Sequence, residues 1–157
     1  MGHYTGLIVD VDIKDEYIDL FENLTHVVKS RDDREKRWQD FTTAYGRVLP
    51  AIYGLSKFPR RNLIFTGLDW VIDDIEPNGF IISHNESPYE SGGYSFNGKT
   101  LKIRSSLKNY EGELDFFIEC VLRPCVSKVR LCKTLTENRS YEENPEEGFV
   151  EYLTDLM

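Results

Sequence analysis

The sequence predicts a compact α+β domain: a mostly antiparallel sheet with helices packed on one face. Three observations carry that expectation. Residues 4 to 14 alternate apolar and polar, the pattern of a half-buried strand. Asn97-Gly98 separates two further strand-like runs, and Asn-Gly readily adopts the positive φ angles of tight hairpins. Segments of helical period lie between these strands, giving an order of β-α-β-β-α-β with a helical insertion. At 157 residues and 40% apolar content, the chain is long enough to bury one core, so a single domain over 1-157 is expected.

In the first strand Leu7, Val9, Val11 and Ile13 share the inner face, with Asp10, Asp12 and Lys14 outside. Asp15 opens a helix with acids in its first turn, where the helix dipole favours them, and Tyr17, Leu20, Phe21, Leu24 and Val28 form its apolar stripe. SRDDREKR (30–37) is a solvated linker or helix opening. Trp38, Phe41, Tyr45 and Val48 predict a second helix ending near Gly46, before Pro50. KFPRRN (57–62) reads as an exposed turn. FTGLDWVIDDIEPNG (65–79) fits either a short helix capped by Thr66 or a strand ending at the Pro77-Asn78-Gly79 turn.

Phe80 to Ser83 reads as a short strand, residues 83 to 93 as a polar loop, and Tyr94 to Leu107 as the hairpin. Its return strand has Leu101, Ile103, Ser105 and Leu107 inside and Lys102, Arg104, Ser106 and Lys108 outside. In SSLKNYEGELDF (105–116) a basic strand gives way to acids. Glu111, Glu113 and Asp115 suit the start of a helix whose inner face holds Leu114, Phe117, Ile118 and Val121. That helix stops near Arg123-Pro124. Val129, Leu131, Lys133 and Leu135 suggest another strand, and Phe149 to Leu153 a last strand or short helix.

The segment LKNYEGEL, a following helix and Arg123-Pro124 resemble a pattern in small phage and prophage accessory proteins. His3-Tyr4-Thr5, Ile13-Lys14 and Tyr141-Glu142-Glu143-Asn144-Pro145 stand where similar residues recur in that group. Cys120 and Cys125 stand where the pattern has aromatic residues. The resemblance implies a phage-type accessory gene product and carries no catalytic residues with it.

Several chemistries find little footing. No glycine-rich loop leads from a strand into a helix as phosphate binding requires, and there is no Gly-x-Ser-x-Gly elbow. Cys120, Cys125 and Cys132 are odd in number, lack a Cys-x-x-Cys pair and are expected as reduced core residues. With no secretory signal or membrane-length apolar run in this sequence, the expected location is the cytoplasm, that of the host if the gene is phage-borne. No cofactor is expected.

The formal charge of −8 disfavours general polyanion binding but is unevenly spread. In the C-terminal segment 137-157, Glu137, Glu142, Glu143, Glu146, Glu147, Glu151 and Asp155 face only Arg139, with Tyr141, Phe149 and Tyr152 interleaved. The first functional expectation is therefore a phage-type protein that binds and inhibits a host protein, of the anti-CRISPR or anti-restriction kind. Its acidic aromatic surface, Tyr141, Glu142, Glu143, Glu146, Glu147, Glu151 and Tyr152, would enter a basic groove. The alternative is a nucleic-acid-binding module using Lys102, Arg104, Lys108, Lys128 and Arg130, with Tyr94 or Tyr110 stacking on bases. The third reading is a metal-dependent enzyme built on Asp10 and Asp12, joined by Asp69, Asp73 or Asp74. An exposed sheet edge also permits pairing of two copies.

Overall fold

A computed structural model describes residues 5–29, 34–66, 71–76, 79–83, 93–136 and 149–157. Strand β1 (Thr5–Ile13) is followed by a 3-10 turn (Asp15–Tyr17) and helix α1 (Ile18–Lys29). Three helices form the insertion: α2 (Arg34–Tyr45), α3 (Ala51–Ser56) and α4 (Leu63–Thr66). Strands β2 (Val71–Glu76), β3 (Gly79–Ser83), β4 (Tyr94–Asn97) and β5 (Thr100–Leu107) come next. Helix α5 (Glu113–Phe116) runs on through a π-helical segment (Phe117–Leu122) into α6 (Arg123–Cys125). The chain closes with β6 (Val126–Thr136), β7 (Phe149–Glu151) and a 3-10 turn (Thr154–Leu156).

The main sheet has the order β4-β5-β1-β6-β7, and every neighbouring pair is antiparallel. Within it β1, β4, β5 and β6 have the split β-α-β connectivity that the order of elements predicts, with α2 to α4 as the insertion. Strands β2 and β3 form a separate hairpin. Because β2 passes close to β1, β5 and β6, it lies across the sheet and not along its margins. The region around residue 71 is therefore the strand of the two alternatives, preceded by a single helical turn at α4.

The inner face is the predicted one. Leu7, Val9, Val11 and Ile13 of β1 and Leu101, Ile103 and Leu107 of β5 are buried in one cluster with the stripe of α1. Phe65 of α4 is the hub that attaches the insertion, with ring centroids 5.4 Å from Tyr94, 5.3 Å from Phe117 and 6.4 Å from Trp38. The contacts with Tyr94 and Phe117 are edge-to-face, which adds to the burial of each ring.

Several local expectations are corrected. Helix α2 ends at Tyr45, so Val48 falls off its stripe and is 50% exposed. The hairpin turn is Gly98-Lys99, because Asn97 still pairs with Thr100. Gly98 takes φ of 65° while Lys99 does not enter the left-handed region, the form in which glycine fills the first central position. The helix after β5 passes Pro124 and ends at Cys125. Cys120 is exposed, because the buried side chains of the π-helical segment are Phe117, Ile118, Val121 and Leu122.

Strand β6 does not keep a simple alternation. Its register against β1 shifts at Asp10/Val11 and again at Asp12/Ile13. Val129 and Cys132 therefore face the main core, while Leu131 and Leu135 join Ile8 and Phe149 in a second small cluster. Bulges re-aim side chains in this way.

Candidate functional site

The sheet's outer surface brings together three sets of sequence candidates. Asp10 lies opposite Lys102 on β5, and Asp12 opposite Thr100 on β5 and Lys128 on β6. Arg130, the extra residue at the first bulge, reaches back over β1. Its Nε donates to Asp10 Oδ1 at 2.9 Å and its Nη2 to Asp12 Oδ1 at 2.7 Å. The Thr100 hydroxyl adds a hydrogen bond to Asp12 Oδ1 at 2.9 Å, and the Ser127 hydroxyl donates to the Asp12 carbonyl at 3.3 Å.

The electrostatics follow from this arrangement. The Arg130 hydrogen bond, and then that from Thr100, hold the Asp12 carboxyl down to about 2 against the opposing effect of its burial. The same two carboxylates raise the Arg130 guanidinium further above its ordinary range. Asp10 and Asp12 thus converge on one point, as the metal reading requires, but a guanidinium takes that point. Among the residues whose side chains are described, no group of three or more His, Cys, Asp or Glu has the geometry to hold a metal ion. Asp69, Asp73 and Asp74 lie outside the residues whose side chains are described.

The nucleic-acid candidates are divided by the same geometry. Lys102 and Lys128 are exposed, Arg104 and Lys108 are half-buried, and Arg130 is committed to two carboxylates. Tyr94 is buried, its hydroxyl donating to the Phe21 carbonyl at 3.2 Å, so it cannot stack on a base. Tyr110 remains 56% exposed.

Of the acidic-surface candidates, Tyr141, Glu142, Glu143, Glu146 and Glu147 lie outside the described residues. Glu151 is exposed on β7 beside exposed Val150. Tyr152 is half-buried and donates its hydroxyl to Asp115, while its backbone N–H bonds the Cys132 carbonyl at 2.8 Å. Arg123 joins Glu119 and Asp155, both at 2.7 Å, and so ties the last turn to the helix before β6. Tyr152 and Asp155 therefore anchor the C-terminal segment to the domain.

The junction at 105–116 is a structural seam with one feature the spacing did not announce. Asn109 Oδ1 accepts the Leu114 N–H at 2.9 Å, satisfying one free donor of the first helical turn, while Gly112 stands at the N-cap. Glu113, 0% exposed, pairs with Arg60 Nη1 at 3.3 Å and accepts the Glu111 N–H at 3.2 Å. The Arg60 guanidinium also sits 5.5 Å from the centroid of the Tyr110 ring. The KFPRRN turn is thereby locked onto the seam. No period or motif in either segment links them, because the contact spans 53 positions of sequence.

The thiols offer no nucleophile in the core. Burial pushes both Cys125 and Cys132 up to about 12, far from the thiolate form at neutral pH. Among the described residues, no helix is long and apolar enough to cross a membrane. No family model, no curated protein and no solved structure matches this chain.

Proposed function

We propose that the chain is a binding protein of the phage accessory type, which engages and inhibits a basic, nucleic-acid-handling host protein through its acidic C-terminal segment. The observation that carries the reading is the acidic excess of that segment in sequence, beside a domain in which several described acids are answered by arginines. On the sheet's outer surface Arg130 answers Asp10 and Asp12, and at the helix end Arg123 answers Glu119 and Asp155. From Glu137 to Glu151, by contrast, six acids face Arg139 alone: Glu137, Glu142, Glu143, Glu146, Glu147 and Glu151. A segment with this excess of acids in its sequence, with Tyr141 and Phe149 among them, suits a cationic groove better than it suits a polyanion. The anchoring of Tyr152 and Asp155 supports the reading too, since it holds the segment's end against the domain and lowers the entropy lost on docking.

The test is affinity capture from nuclease-treated host lysate with three proteins: the wild type, a variant with Glu142, Glu143, Glu146 and Glu147 changed to lysine, and one with Lys102, Arg104 and Lys108 changed to glutamate. A partner held by the first and third but lost by the second is expected. Capture that survives reversal of the four glutamates would end the proposal. Capture found only from a parallel lysate left without nuclease would transfer the role to nucleic acid.

A further inference from the structure

The helical insertion is the basic pole of an acidic protein. Between residues 34 and 63, Arg34, Lys36, Arg37, Arg47, Lys57, Arg60 and Arg61 face only Glu35 and Asp40, a surplus of five positive charges in a chain of net −8. One end of that insertion meets the seam after β5, and there the cations lie among exposed rings. Tyr53 is 47% exposed and packs over Gly46, where an added Cβ would stand 2.1 Å from the ring. Arg47 follows directly, and both Arg47 and Lys57 are exposed with no carboxylate partner among the described residues. Phe58 and Phe116, half-buried with centroids 5.2 Å apart, continue the surface. Arg60 then leads to Tyr110, the most exposed aromatic side chain described.

We propose that this surface, built from Arg47, Tyr53, Lys57, Phe58, Arg60 and Tyr110, binds a single-stranded nucleic acid, with phosphates on the cations and a base on the Tyr110 ring. Cations alone fit any polyanion; the exposed rings select one with flat faces to offer. Arg60 is partly neutralised by Glu113, but that pair also fixes it over the tyrosine. It therefore acts as a positioning residue for the ring, while Arg47 and Lys57 supply charge. Glu111 beside Tyr110 and Asp115 beside Phe116, both exposed, are local acids that limit affinity. None of these six residues belongs to the acidic segment, so each proposal has its own test.

The experiment is a fluorescence-anisotropy titration of a short labelled oligothymidylate, and of the matching oligouridylate, over a series of salt concentrations. Tyr110→Ala should weaken binding by about tenfold or more, and Tyr110→Phe should leave it unchanged. Arg47→Glu with Lys57→Glu should reduce the slope of log affinity against log salt by about 0.7 for each phosphate no longer neutralised. These side chains are exposed, so thermal unfolding of the variants should match the wild type. Failure of the wild type to bind either strand at low salt overturns the proposal. So does equal sensitivity to Lys102→Glu with Lys128→Glu, which would mark diffuse attraction. If polyglutamate competes as well as the oligonucleotide and Tyr110→Ala has no effect, the surface is one for acidic polypeptide and the proposal is wrong.

Discussion

The outer surface of the sheet and the helical insertion are both rich in cations, and they use them differently. On the sheet, strand pairing sets Lys102 against Asp10 and Lys128 against Asp12, and the bulge at Arg130 swings a guanidinium over both acids. In the insertion, Arg47 and Lys57 project from short helical turns with no carboxylate partner among the described residues. The runs 99–108 and 123–133 contain no acid in sequence, yet in space cations of each meet acids of β1. Arg130 is 120 positions from Asp10 in the chain and 2.9 Å from it in space. In the insertion Glu113 answers Arg60 from outside, but Arg47 and Lys57 stay without a carboxylate partner among the described residues.

The largest effect is expected where the insertion is attached to the sheet. Phe65→Ala removes a fully buried ring that touches Trp38, Tyr94 and Phe117, and should cost about 3–5 kcal/mol in urea unfolding. A cost below about 1 kcal/mol would mean that the insertion is held elsewhere.

On the sheet surface, Arg130→Ala should cost about 1–3 kcal/mol, because Asp12 is left buried and Asp10 faces it without a shared cation. Adding Asp12→Asn should recover part of the loss, and the coupling read from the double-mutant cycle should exceed about 0.5 kcal/mol. Strict additivity would show that the bridge contributes nothing to folding.

A smaller effect is expected from acid. Asp12 ionises at about 2 in the folded chain and at an ordinary carboxylate value of 3.8 when unfolded. Its depressed folded value means that the stabilisation is complete above pH 3.8 and is lost as pH falls from there toward 2. That contribution should be about 1–2 kcal/mol, and in Arg130→Ala this part of the acid dependence should shrink. An unchanged acid limb in the variant would place the lowered ionisation elsewhere. The corresponding change in the insertion, Lys57→Glu, should leave the acid limb unaltered, which sharpens the contrast between the two regions.

Much of the architecture was legible because it is written in local periods. The alternation of Leu7, Val9, Val11 and Ile13, the stripe Leu20, Phe21, Leu24 and Val28, and the inner face of β5 are where the period puts them, whereas Ser106, expected on the outer face of β5, is buried. Val48 escaped because one breaker decided the end of α2, and Leu131 because two register shifts turned β6. The basic surplus of residues 34–63 is carried by composition alone, because Glu35 and Asp40 are interleaved with its cations.

By itself the sequence determined the fold class, the inner faces of β1, α1 and the helix that starts at α5, the acidic balance of the chain and the seam between Leu107 and Glu113. Only the tertiary structure decided which charges are answered: Arg130 by Asp10 and Asp12, Arg60 by Glu113, Arg123 by Glu119 and Asp155. The physical reason is range. Side-chain period is fixed by backbone geometry within a few residues, whereas the strength of a charge depends on neighbours that strand register and bulges bring from distant parts of the chain.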